Sequence, residues 1–161
     1  MGNEIDATTT QVKHRGYFNI DHVVKSIRTW MKRRKFNYLE AKIKYLPDER
    51  EFEITGDKKV NEYVKWEITV SIYAFDLKDV EVIKDGKKQT TTEGRIFLEV
   101  SGKMMLDWMK RFKGNKFLIV MQDFYHKYII KHKLEDEWAD DLDGNIFSLT
   151  KEIRHALEME L

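Results

Sequence analysis

The run from Val64 to Ala74 constrains the fold more than any other part of the chain. Val64, Trp66, Ile68, Val70, Ile72 and Ala74 fall on one parity, and Lys65, Glu67, Thr69 and Ser71 on the other. Side chains of a strand alternate between its two faces, so this is a strand with one face in a core and one toward solvent. Such a strand needs neighbours at its edges and a second layer over its apolar face. The rest of the sequence supplies both. Upstream, Ile20, Val23, Val24, Ile27, Trp30 and Met31 repeat at helical spacing. Asn19 stands at the cap, Asp21 in the first turn, and Phe18 and Val23 at the two staple positions. Lys32, Arg33, Arg34 and Lys35 close this helix, where its negative pole favours cations.

Further strands read as hairpin-linked neighbours. His14 to Phe18 forms a short first strand. Leu39, Ala41, Ile43 and Tyr45 alternate with Glu40, Lys42 and Lys44 as a half-buried strand, and Phe52 and Ile54 face inward on the next. Val80–Ile83 and Lys87–Thr91 flank Asp85-Gly86, a pair favoured in two-residue hairpins. Ile96, Leu98, Val100, Met104 and Leu106 alternate with Arg95, Glu99, Ser101 and Lys103. Helical spacing returns at Phe117, Leu118, Met121, Phe124, Tyr125, Tyr128 and Ile129, and again from Ile146 to Leu157, with Gly144 read as a break and Asn145 as the next cap. The expected fold is therefore α+β: an antiparallel β-meander of about six strands, one N-terminal helix, and long C-terminal helices packed on one face. The strand over residues 62–76 is expected near the centre of the sheet, under the apolar face of a helix over 116–133. Residues 1–12 are polar and threonine-rich and read as a flexible tail, with 13–161 as a single α+β domain. The element order is similar to the helix-grip layout, in which a curved sheet wraps a C-terminal helix around an apolar cavity. One continuous helix stands here where that layout has two short ones.

Gly16-Tyr17-Phe18 ahead of the first helix, Trp30 within it, Asp79-Val80-Glu81-Val82, Gly86-Lys87-Lys88 and Tyr125-x-x-Tyr128-Ile129 together span most of the chain. In these features the chain resembles an uncharacterised family of small, lysine-rich archaeal proteins. That resemblance implies no activity.

Composition narrows the chemistry. With 42% hydrophobic residues in 161, there is material for a core. The absence of cysteine excludes disulfides, zinc-thiolate sites and a thiol nucleophile, and fits a reducing compartment. No apolar run reaches the length of a membrane span, and the N-terminus lacks a secretion signal's apolar region, so the expected location is cytoplasmic. His126 and His132 are spaced for different helix faces rather than a shared metal. Asp141-x-Asp143-Gly144-Asn145-Ile146 copies the middle of a calcium loop, but Ala139 and Thr150 occupy its two end positions. No nucleophile elbow, phosphate-binding glycine loop or dinucleotide fingerprint occurs. No catalytic residue, metal or cofactor is therefore assigned, and a catalytic role is the lesser reading.

Charge says more. The net charge of +1 hides a basic segment, Lys13 to Lys35, and an acidic one from Glu135 onward. Trp30-Met31-Lys32-Arg33 recurs as Trp108-Met109-Lys110-Arg111, each with a phenylalanine and another lysine close behind. Tryptophan at an apolar edge with cations beside it suits bases and phosphates, and equally an anionic membrane interface. The sequence therefore points to a non-catalytic interaction module. It presents a basic, aromatic-bearing surface built from Trp30, Lys32, Arg33, Arg34, Trp108, Lys110 and Arg111 to RNA, an anionic membrane surface or an acidic protein. A helix-grip binder or enzyme for a small apolar ligand is the alternative, with Glu67, Tyr73 and Glu99 as its polar groups. Homo-oligomers are a third option, through Ile119, Val120 and Ile130.

Overall fold

The computed structural model describes residues 4–61, 63–106, 116–125 and 137–158. The elements run β1 (Glu4–Phe18), α1 (Ile20–Arg33), β2 (Asn37–Tyr45), β3 (Glu49–Lys59), β4 (Val64–Lys84), β5 (Lys87–Leu106), α2 (Lys116–Tyr125) and α3 (Ala139–Glu158). The strands form one five-stranded antiparallel sheet in the order β1-β5-β4-β3-β2. β4 lies at its centre, as its two-residue period predicts, and Trp66 and Ile68 are buried.

α1 begins where the cap residue allows. The Asn19 side chain accepts the His22 N–H at 3.1 Å, and Asp21 faces the positive helix end. Lys35, in the left-handed region at φ 63°, reverses the chain so that the Phe36 N–H reaches the Met31 carbonyl at 2.9 Å. The helix lands on β3 at a glycine: a Cβ on Gly56 would lie 2.6 Å from Met31 Sδ.

Residues 62–106, read from the sequence as four strands, form two, because β4 and β5 do not stop where their alternation falters. Asp76 takes φ 55° and the β4–β5 register shifts between Phe75 and Lys78. A bulge bends and twists a strand without ending it. Gly94 makes room for the bend, since a Cβ there would sit 2.9 Å from Leu77 Cδ2 and 3.0 Å from the Phe75 carbonyl oxygen. Beyond it the ribbon continues to Asp85-Gly86, both at positive φ as a type I′ turn needs.

The expected tail is a strand. β1 pairs with β5 from Glu4↔Met105 to Phe18↔Thr92. Its threonines are β-branched and suit an edge strand, whose outward polarity resembles that of a loose segment. α3 also holds it: the Thr8 N–H donates to Asp143 Oδ1 at 2.9 Å, and the Thr10 and Thr150 hydroxyls meet at 2.6 Å.

Of the C-terminal helices it is α3 that packs on the sheet, and the described part of the expected 116–133 helix, α2, is largely exposed. α3 buries Leu142, Ile146, Leu149, Ile153, Ala156 and Leu157 and packs on β1, β5 and α1. On α2, Phe117, Ile119, Val120, Met121 and Phe124 are exposed. α2 is apolar on several sides and has no single face to bury, whereas α3 carries a stripe that matches the sheet. Residues 126–133 of the expected helix lie outside the described residues. Gly144 does not break α3. Asn145 Nδ2 donates to the Asp141 carbonyl one turn back at 2.8 Å, and the buried stripe outweighs the ~1 kcal/mol that a mid-helix glycine costs. The calcium-like run is thus helical. No helix among the described residues is long and apolar enough to cross a membrane.

Candidate functional site

The residues expected to bind an anionic partner divide in the structure. Trp30 is core, 1% exposed. Its Nε1 donates to Ser148 Oγ at 3.2 Å, the Arg34 guanidinium lies 5.2 Å from its ring centroid, and Phe36 packs at 5.6 Å. No face of this indole is open to a base, so its expected stacking role fails. The regular apolar spacing that makes α1 amphipathic includes Trp30, and that spacing places it inside.

The cations beside it face α3. Arg33 Nη2 pairs with Glu152 Oε1 at 3.1 Å. Arg34 donates to Asn145 Oδ1 at 3.1 Å and to Ser148 Oγ at 3.0 Å. Lys32 is exposed in the last turn of α1. Arg33 and Arg34 line a cleft of about 640 Å³ with Lys35, Lys58, Asp140 and Asp141. The acidic helix therefore answers part of the basic one, and the cleft carries both signs. Trp108, Lys110 and Arg111 lie outside the described residues, so the second copy of the echo has no assigned place.

A different basic and aromatic surface lies on the uncovered face of the sheet. Strand parity assembles it. Val12, Leu98, Ile72 and Ile54 point to the helices, so the residues between them point away. One rung across that outer face reads Lys13, Phe97, Tyr73, Glu51. The next reads Arg15, Arg95, Phe75, Glu49. Cations occupy the β1 side, aromatics the middle and carboxylates the β3 side. Tyr73 and Phe75 are 43% and 37% exposed. Lys13 Nζ stands 5.7 Å from the Phe97 ring centroid, within reach of its negative face. Together with His14 and Ile96, these side chains line a shallow concavity of about 760 Å³.

Its electrostatics are graded. Arg95 Nε lies 3.8 Å from Asp76 Oδ2, a partner that is largely solvated. The Tyr73 phenol donates to Glu51, and that carboxylate holds its pKa above the ordinary value. The neighbouring rung reads Gln11, Glu99, Ser71, Glu53, so acid borders the patch along β3 and, through Glu99, at the end of the β5 row next to Phe97. Glu67, Tyr73 and Glu99 all sit on this outer face and not between sheet and helices. The inner space is filled by one contiguous cluster of buried side chains from α1, α3 and the sheet.

The sequence held a signal for this surface. Tyr73 and Phe75 extend the polar parity of β4, and Phe97 interrupts the polar parity of β5. Aromatic residues on the solvent side of an amphipathic strand do not serve the core. The patch also joins residues far apart in sequence, and only the sheet order brings Lys13 and Arg15 beside Arg95. Among the described residues, no three metal-ligating side chains gather into a cluster. The chain matches no protein-family model, no curated protein and no solved structure.

Proposed function

We propose that the protein is a non-catalytic binding module that holds single-stranded nucleic acid across the open face of its sheet. One observation carries the reading: Tyr73, Phe75 and Phe97 stand in the middle of that face, flanked on the β1 side by Lys13, Arg15 and Arg95. Bases of any sequence stack on aromatic rings, and the backbone phosphates follow cations at their side. Sheets that present aromatics to unpaired bases are a recurrent way of binding RNA. An anionic bilayer fits less well. Its charged plane would meet the β3 carboxylates of Glu49, Glu51 and Glu53 together with the cations, whereas a single strand can run along Lys13, Arg15 and Arg95 and leave that row aside. A cysteine-free chain suits the reducing cytoplasm, where such a strand is found.

The near-zero net charge sets a modest affinity and a shallow salt slope, since only a few phosphates can be neutralised. Fluorescence anisotropy with a labelled single-stranded RNA at two salt concentrations tests this. Wild type is expected to bind, and changing Lys13, Arg15 and Arg95 together to glutamine is expected to weaken binding and flatten its salt dependence. Unchanged affinity and slope in the triple variant would overturn the assignment.

A further inference from the structure

The two edges of the sheet are finished differently. At β1, α3 reaches the edge, and Asp143 takes the Thr8 N–H. At β2 nothing comparable is seen among the described residues. Every residue from Leu39 to Tyr45 is exposed, with Leu39 at 81% and Ile43 at 55%. Unfinished edges invite another strand, and proteins blunt them with lysines and bulges. β2 has both, Lys42 and Lys44 and a register shift between them. Its charges, however, are arranged to match themselves. Placed antiparallel to its own copy with Ala41 opposite Ala41, β2 sets Glu40 against Lys42, and Lys42 against Glu40, on either side of the centre. One step further out, Leu39 meets Ile43 at both ends. The lysine that would repel an arbitrary strand finds a carboxylate on this one.

We infer that the protein self-associates through β2, two copies pairing antiparallel about Ala41 so that the sheet runs on from one chain into the other. Side chains directly opposite in an antiparallel pair share a face. The rule applies to the central rungs, where Glu40 and Lys42 share the helix side. Leu39, across from Thr55 on the outer face, comes beside the second copy's bulge, where Ile43 is itself exposed. Glu40 lies on the helix side, where Arg28 of its own chain already binds it and holds the carboxylate beside the edge. The bulge at Ile43 confines regular pairing to the centre of the strand, so the association is a short, reversible one. A two-fold axis perpendicular to the sheet keeps both outer faces on the same side. This inference does not depend on nucleic-acid binding, and either can fail alone.

Charge exchange tests it in the intact chain. Light scattering behind size exclusion, across the micromolar range, is expected to show a concentration-dependent dimer for wild type. Lys42→Glu places a carboxylate opposite each Glu40, and Glu40→Lys places an ammonium group opposite each Lys42. Each variant alone is expected to dissociate, with a dimer constant weakened roughly tenfold or more as two attractive rungs turn repulsive. Mixed in equal amounts, the two variants complement each other and are expected to form a heterodimer. Wild type that stays monomeric, a single variant that dimerises as well as wild type, or a mixture that stays monomeric would each overturn the inference. Circular dichroism of the separate variants shows whether each remains folded, and a heterodimer formed on mixing cannot come from unfolded chains.

Discussion

The two faces of β4 and β5 are built from the same strands and meet opposite fates. On the inner face, Trp66, Ile68, Val70 and Ile72 of β4 and Leu98 and Val100 of β5 are buried beneath α1 and α3. On the outer face, threonines, serines and charged residues fill one end, and Tyr73, Phe75 and Phe97 take the other. The inner face obeys a single rule, burial of apolar area, and its residues are interchangeable in kind. The outer face departs from its own rule at three aromatic positions, and they coincide with its cations. Departures from a local pattern mark the places where something other than stability has been selected.

Substitutions on each face should separate these roles. The largest effect belongs to the inner face. Trp66→Ala is expected to lower stability by about 3–5 kcal/mol in chemical denaturation. A loss below about 1 kcal/mol would mean that this ring is not in the core. On the outer face, changing Tyr73 and Phe75 together to alanine should cost about 1–3 kcal/mol of RNA-binding free energy for each base that loses its ring. The same double variant should unfold close to wild type. A large stability loss with unchanged binding would invert the comparison.

The bend that joins sheet to ribbon tests the geometry between the faces. Gly94→Ala should destabilise by about 1–3 kcal/mol, since two of the atoms a Cβ would meet, the Phe75 and Asp76 carbonyl oxygens, are backbone and cannot swing aside. A neutral substitution there would show that the strands do not close on one another. The smallest effect concerns the rim of the inner face. Arg28 donates to Glu40 and holds its carboxyl below the usual carboxylate range. A depressed folded pKa adds stability above the unfolded value and loses it as pH falls through the folded one. Glu40→Gln is expected to cost only ~0.2–1 kcal/mol at neutral pH, because the pair is partly solvated. That difference should vanish in acid, and a cost that persists there would mean it does not arise from the ion pair.

Much of this architecture was legible from residue order. The parity of Val64–Ala74, the Asn19 cap and the Asp85-Gly86 turn each act within a few residues, and each is where local chemistry puts it. The misreadings share a cause. The β1 edge strand is polar and loop-like in composition, and only pairing with β5 makes it a strand. β2 has an apolar parity, Leu39 and Ala41, that sets itself on the outer face because Phe36 and Tyr38 just before it take the inner one. The apolar run after Lys116 and the stripe of α3 compete for one surface, and sequence alone does not rank them. The candidate site was the least legible. Trp30 and its cations are adjacent in sequence and were found, but tertiary packing takes the ring inside and pairs Arg33 with Glu152. The outer-face patch needs three strands at once, and its only local trace is aromatic residues on the wrong parity.

The most direct test sets the two basic surfaces against each other in one assay. Anisotropy titrations of a single-stranded RNA are run with the outer-face variant, Lys13, Arg15 and Arg95 to glutamine, and with a helix-end variant, Lys32, Arg33 and Lys35 to glutamine. Both remove three cations, so their net charges are equal and only location differs. The outer-face variant is expected to lose most of the binding and most of the salt slope, with the helix-end variant close to wild type. Equal losses in the two variants, or a loss confined to the helix end, would contradict the assignment of binding to the open face of the sheet.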